Sequence, residues 1–143
     1  MKPRIFLDIE KTLIKSLDNP LMINHELIAN ITKDNPNVSL FTFGIWDEIE
    51  LKRVEWLIRE IGTIHNIKID EVFTKKTILE CVNTTLKITI DEFDLNDFFG
   101  KDGAFVNFCK SSFSGECILV DDMVENCIME FPDIDLKIKM IKC

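Results

Sequence analysis

The stretch Ile5-Phe6-Leu7-Asp8-Ile9-Glu10-Lys11-Thr12-Leu13 decides how the rest of the chain is read. Three apolar residues run straight into a carboxylate, and a second carboxylate follows two positions later. A short apolar run without polar alternation suits a parallel strand covered on both faces. The strand is expected over Arg4 to Asp8, which puts Asp8 at its carboxyl end. A lone acid there would most simply cap the following turn. Two acids at one strand mouth repel each other unless a cation lies between them or one keeps its proton. Either arrangement is chemistry: a metal site, or a nucleophile beside a general acid.

Outward from this stretch, helices and strands alternate. Ile23, Leu27, Ile28 and Ile31 recur at helical spacing within Leu21 to Asp34, and Asn35-Pro36-Asn37 ends that helix, because proline disfavours helical geometry in the residue before it. Val38 to Phe43 reads as a second strand. Trp46 to Ile64 reads as one long helix with Ile49, Val54, Leu57, Ile58, Ile61 and Ile64 on a single face, and with Trp46 and Trp56 packed along it. Val72-Phe73-Thr74 is a third strand. From Lys75 to Gly100 the pattern predicts a helix over Thr77 to Leu86, an edge strand over Lys87 to Ile90 and a helical turn over Asp91 to Phe99. Asp102 is placed to cap a helix carrying Ala104, Phe105, Phe108 and Cys109. Cys117 to Asp121 is another apolar run that closes on carboxylates. A short helix near Val124 to Met129 and an edge strand over Leu136 to Ile141 complete the reading.

Such alternation implies βαβ units and hence an α/β fold: a three-layer, Rossmann-like arrangement in which helices flank a mostly parallel sheet. The 143 residues are enough for one domain, 1–143, with room for a small flap near 75–100 and none for a large cap domain. Apolar residues make up 46% of the chain, enough for a core, while five Gly and four Pro are too few for a linker-rich or disordered one. The longest uncharged apolar runs fall far short of a membrane span. The amino-terminal residues reach Asp8 before a secretory apolar stretch could form, so a cytoplasmic protein is expected.

The net charge of −8, from 25 acids and 17 bases, argues against a general nucleic-acid binder. It leaves room for an enzyme that meets a phosphate at one local site with a divalent cation. The five cysteines are odd in number and never spaced C-x-x-C, so they are expected as reduced thiols rather than a zinc site or a disulfide framework. His25 and His65 are expected on helix surfaces or at caps. Phe93, Phe98 and Phe99 are expected in the core, with a hydrophobic lip as the alternative.

In open parallel sheets the ligand site lies beyond the carboxyl ends of the strands. Three strands here end in groups capable of chemistry: Asp8, Thr42 and the pair Asp121-Asp122. Hard oxygen donors at a strand end suit Mg2+, which takes one or two carboxylates together with water and substrate phosphate.

The pattern D-x-[DE]-x-T-[LV] at Asp8 to Leu13 resembles the first motif of the haloacid dehalogenase (HAD) superfamily, whose members are mainly phosphohydrolases. Leu40-Phe41-Thr42 is similar to the family's second motif, and Ile118-Leu119-Val120-Asp121-Asp122 to its fourth. The third motif is a lysine ahead of the fourth. Lys101, 20 residues before Asp121, fits that place; Lys110, at 11 residues, is too near, and Lys75 and Lys76 are weaker matches. The resemblance covers 4–126 and is nearest to the small capless protein phosphatases of the carboxy-terminal-domain type.

That resemblance implies a magnesium-dependent phosphatase working through an aspartyl-phosphate intermediate. Asp8 would be the nucleophile and Glu10 the acid and base. Thr42 would hold phosphoryl oxygens, and Lys101 would offset charge. Mg2+ would be held by Asp8, the backbone carbonyl of Glu10, Asp121 and Asp122. An uncapped site implies a large phosphorylated substrate, a phosphoprotein or a nucleic-acid end. The family's usual second acid is Asp, so Glu10 keeps a second reading open: a catalytically impaired relative that binds a phosphorylated partner or regulates. Receiver domains also cluster acids and a lysine at strand ends, but they carry the acid pair on the first strand, and here the pair comes late.

Overall fold

The computed structural model describes residues 2–143. Strands β1 (Arg4–Leu7), β2 (Asn37–Phe41), β3 (Lys68–Phe73), β4 (Gly115–Asp121), β5 (Cys127–Phe131) and β6 (Leu136–Lys142) form one sheet in the order β3-β2-β1-β4-β6-β5. Every pairing is parallel except that of β5 with β6. The helices are α1 (His25–Thr32), α2 (Glu48–Arg53), α3 (Glu55–His65), α4 (Lys75–Leu86), the three-residue α5 (Glu92–Asp94) and α6 (Gly100–Ser112). A π-helical turn, Leu95–Phe99, joins α5 to α6. The molecule is thus α/β, with a mostly parallel six-stranded sheet flanked by helices, an arrangement compatible with a Rossmann-like fold.

Side chains alternate across a strand, and the two faces of this sheet follow that period of two. Phe6, Phe41, Cys117, Leu119, Ile138 and Met140 point to one face, where Ile78 and Val82 of α4 and Ala104, Phe105 and Phe108 of α6 cover them. Ile5, Leu7, Val38, Leu40 and Val120 point to the other, under Ile28 of α1 and Leu57, Ile58 and Ile61 of α3. The first face is rich in aromatics: Phe6 meets Phe105 edge-on at 5.2 Å between ring centroids, and Phe41 meets Phe105 at 5.1 Å. With both faces covered, β1 has no solvent side, which is why its sequence does not alternate.

Several local expectations differ from the fold. The expected long helix over Trp46 to Ile64 is two helices that break at Val54, whose φ of −112° and ψ of 10° leave the helical region. Asp47 starts the first by accepting from the Ile49 and Glu50 amides, and Ile49, Trp56 and Ile64 are exposed rather than packed. The expected edge strand at Lys87–Ile90 does not form. Asn83 clamps Ile90 through both backbone groups instead, which satisfies locally what a sheet would have satisfied. The helix expected over Thr77 to Leu86 forms as α4, buried on the sheet through Ile78 and Val82, at the start of the 75–100 region where the sequence left room for a small flap.

Val124 to Met129, expected as a helix, gives way to β5, where Cys127, Met129 and Phe131 alternate with exposed Ile128 and Glu130. Consequently β6 is interior, and β5 is the edge. Asp102 sits inside the first turn of α6 rather than capping it. Phe93 and Phe98 are exposed, and only Phe99 of that trio packs against the core. His25 and His65 stack on each other at 4.4 Å, with His65 buried rather than on the surface. All five cysteines are free thiols, and no helix among the described residues is long and apolar enough to cross a membrane.

Candidate active site

The chain lays β2 and β3 on one side of β1 and then returns to lay β4 on the other, so the crossover direction reverses between β1 and β4. A crevice opens beyond the carboxyl ends of the strands at such a reversal. Register fixes what stands there. Leu7 lies opposite Val120, and the Asp8 amide continues the ladder to the Val120 carbonyl at 3.1 Å. Asp8 and Asp121 therefore emerge side by side, although 113 residues separate them.

Lys101 reaches this pair from the first turn of α6, its Nζ 3.1 Å from Asp8 Oδ1 and 2.8 Å from Asp121 Oδ2. The second contact is off the hydrogen-bonding direction, so Asp121 Oδ2 has a charge beside it and no hydrogen bond. Asp121 Oδ1 accepts from the Met123 amide at 2.8 Å, which fixes the carboxylate. All three side chains are essentially removed from solvent. Gly100 enables the approach of Lys101: its φ of +69° belongs to the left-handed region, and a Cβ there would stand 2.9 Å from Asp102 Oδ1.

After Asp8 the chain folds back tightly. The Ile9 carbonyl accepts from the amides of Leu13 and Ile14, while Ile9, Leu13 and Ile14 are fully buried anchors. This leaves Glu10 projecting into the mouth between them. Its Oε1 leans on Gly44, where a Cβ would stand 2.6 Å from that oxygen and 3.4 Å from Thr42 Oγ1. Thr42 is buried and its hydroxyl accepts from the Gly44 amide at 2.9 Å, keeping its own proton to donate.

Asp8, Glu10, Lys11, Phe43, Gly44, Lys75, Lys101, Asp102, Asp122 and Met123 wall a cavity of about 530 Å³, with the π-helical turn along one rim, while the buried Thr42 and Asp121 lie behind that wall. Phe43 is a floor for two cations: Lys101 Nζ is 4.9 Å and Lys75 Nζ 5.3 Å from its ring centroid. A second cavity, about 340 Å³, lies at the amino ends of the strands between Arg4, Ser39, Glu71 and Phe113, away from the acid–lysine cluster.

The electrostatics are unbalanced. Burial pushes the Asp8 carboxyl up to about 7; Lys101 pulls it down and the neighbouring Asp121 pushes it further up. Burial also raises Asp122, with the Asp121 charge adding to it. One ammonium cannot neutralise this group. Carboxylate oxygens of Asp8, Asp121 and Asp122 lie within 4.8 Å of one another, a set of hard donors suited to a divalent cation. The Glu10 carboxylate stands apart from that trio, against Gly44.

The fold thus brings Asp8, Glu10, Lys101, Asp121 and Asp122 together and seats Thr42 directly behind Gly44. Lys110 lies elsewhere, over the Phe131 ring at 4.3 Å, and Lys76 is exposed outside the cavity. Lys75 is the residue the sequence underrated. It follows the end of β3 by two positions, as site residues follow the other strand ends, and that position was the available signal. Taken together, fold and site define an α/β protein with an acid-lined pocket at its strand ends. No family model, curated protein or solved structure matches the chain.

Proposed function

We propose that this protein is a magnesium-dependent phosphatase of the haloacid dehalogenase type, hydrolysing a phosphate monoester through an aspartyl-phosphate. The observation that carries the reading is the Asp8–Lys101–Asp121 cluster at 3.1 and 2.8 Å, with Glu10 in the same cavity wall. Lys101 occupies Asp8 Oδ1 and leaves Oδ2 to attack phosphorus. As the new P–O bond forms, the ester P–O bond breaks, and the leaving oxygen takes a proton from Glu10. Glu10, now a carboxylate, takes a proton from water, which attacks the acyl phosphate, releases inorganic phosphate and restores Asp8. Thr42, buried behind Gly44, accepts from the Gly44 amide and fixes the backbone against which Glu10 rests. A magnesium ion held by Asp8, Asp121 and Asp122 would cancel the repulsion between carboxylate and phosphate.

The same cation, if held by these carboxylates, would also favour the ionised form of Asp8 near neutral pH. Burial favours its protonated, unreactive form, and an added positive charge beside it favours the ionised nucleophile. The open pocket suits a large phosphorylated substrate, a phosphoprotein or a nucleic-acid end, and the −8 net charge favours the former. Hydrolysis of an aryl phosphate with and without magnesium, using Asp8→Asn as control, tests the proposal. Magnesium-dependent turnover that Asp8→Asn abolishes supports it. Equal rates for parent and variant refute it, and magnesium binding with no turnover would make the chain a binding protein.

A further inference from the structure

Lys75 is only 5% exposed, yet it takes no part in the chemistry assigned to Asp8, Glu10 and Lys101. A lysine is rarely so buried without an anion beside it. Its anion is Glu92, whose Oε1 accepts from Lys75 Nζ at 3.0 Å. The two ends of this pair are unequal: the Lys75 side chain is 7% exposed and that of Glu92 55%. Glu92 belongs to α5, a three-residue surface turn. Returning Glu92 to water costs little, because it is mostly hydrated already. Leaving Lys75 buried without an anion costs several times more. The bond is therefore built for exchange, provided another anion arrives.

Lys101 differs on this point. Both of its carboxylates are buried, at 10% and 0% side-chain exposure, so its partners are fixed. Both ammonium groups contact the same Phe43 ring, so they stand no further apart than the two ring distances of 4.9 and 5.3 Å laid end to end. A ligand with two negative groups a few bonds apart can reach both sides of the cavity.

We infer that Lys75 is a second anion-binding group: it takes a further negatively charged group of the ligand, a carboxylate or second phosphate, in exchange for Glu92. The inference rests on the phosphatase reading for where the reacting phosphate sits, and its test is one of binding rather than turnover. The full chain in magnesium is titrated calorimetrically with methylphosphonate, 3-phosphonopropionate and 4-phosphonobutyrate. For at least one carboxylated ligand the affinity should exceed that for methylphosphonate tenfold or more. In Lys75→Met this ratio should fall to near one. In Glu92→Gln, which keeps the shape and removes the competing charge, it should rise above the parent value.

A parent ratio near one, a ratio that survives Lys75→Met, or no binding of any of the three overturns the inference. Should Lys75→Met fail to fold, Glu92→Gln decides, and an unchanged ratio there is also fatal. If the ratios behave as expected while aryl phosphate stays intact, the anion site stands and the phosphatase reading falls.

Discussion

Replacing Asp8 with Asn should stabilise the metal-free protein at pH 8 while removing turnover. Asp8 is buried, and its carboxyl is held at about 7 against an ordinary value of 3.8. An acid raised in the folded state contributes stability that is complete below 3.8 and is lost as pH climbs through about 7, because only the folded chain keeps the proton in that window. Integrated from pH 5 to pH 8, the parent loses about 3 kcal/mol on this account. Asn has the same shape, still offers Lys101 an oxygen, and does not titrate. The stability of Asp8→Asn relative to the parent should therefore grow by about 3 kcal/mol between pH 5 and pH 8, or roughly 6–12 °C in Tm. Urea denaturation in EDTA at pH 5, 6, 7 and 8 measures it directly. On the proposed reading, magnesium at pH 8 should then raise the parent's stability and close the gap, because a ligand that binds only the folded chain with Asp8 ionised shifts the equilibrium toward it. Parallel pH curves for the two chains would refute the claim that burial governs Asp8.

Three other perturbations probe separate parts of the site. Gly44→Ala puts a methyl where Glu10 Oε1 now rests, so the flexible Glu10 must move; turnover should fall roughly 10–100-fold, with stability changed by less than about 1 kcal/mol. Steady-state kinetics and a melting curve check both halves, and full activity would remove Glu10 from the acid–base role. Lys101→Met leaves Asp8 and Asp121 buried together without their shared cation, at a cost of about 3–5 kcal/mol that denaturation at pH 8 would read and that magnesium should partly restore. His65 titrates below its usual 6.5, chiefly because it is buried, so its contribution is complete above 6.5 and lost as pH falls below it. Acidification from pH 7 to pH 5 should thus cost the parent more stability than it costs His65→Phe, and identical losses would contradict this.

What the sequence determined is the layer pattern and the carriers of chemistry. The apolar runs Ile5–Leu7 and Ile118–Val120 have no polar face, so they had to be covered on both sides, and each ends in an acid. Local periodicity misled where it was short. Val124 to Met129 contains enough apolar residues for a helix, but Cys127 and Met129, with Phe131 just beyond, alternate as a strand does once β6 is there to pair with. Ile49 and Val54 kept helical spacing with Leu57, yet the helix breaks at Val54, since spacing cannot register a change of axis.

The motif order already favoured Lys101 over the other lysines, but only tertiary structure shows that it serves both Asp8 and Asp121 and that Lys75 serves Glu92. Lys75, Lys76, Lys101 and Lys110 are equivalent in composition. Only the reversal of crossover between β1 and β4 sets Asp8 beside Asp121, and only the packing of α6 on the sheet through its Phe105 and Phe108 aims Lys101 at both. The shared Phe43 floor, the Gly44 notch under Glu10 and the Lys75–Glu92 bond likewise join segments distant in the chain. Charges interact through distance and burial, and a linear sequence holds neither until the sheet has closed.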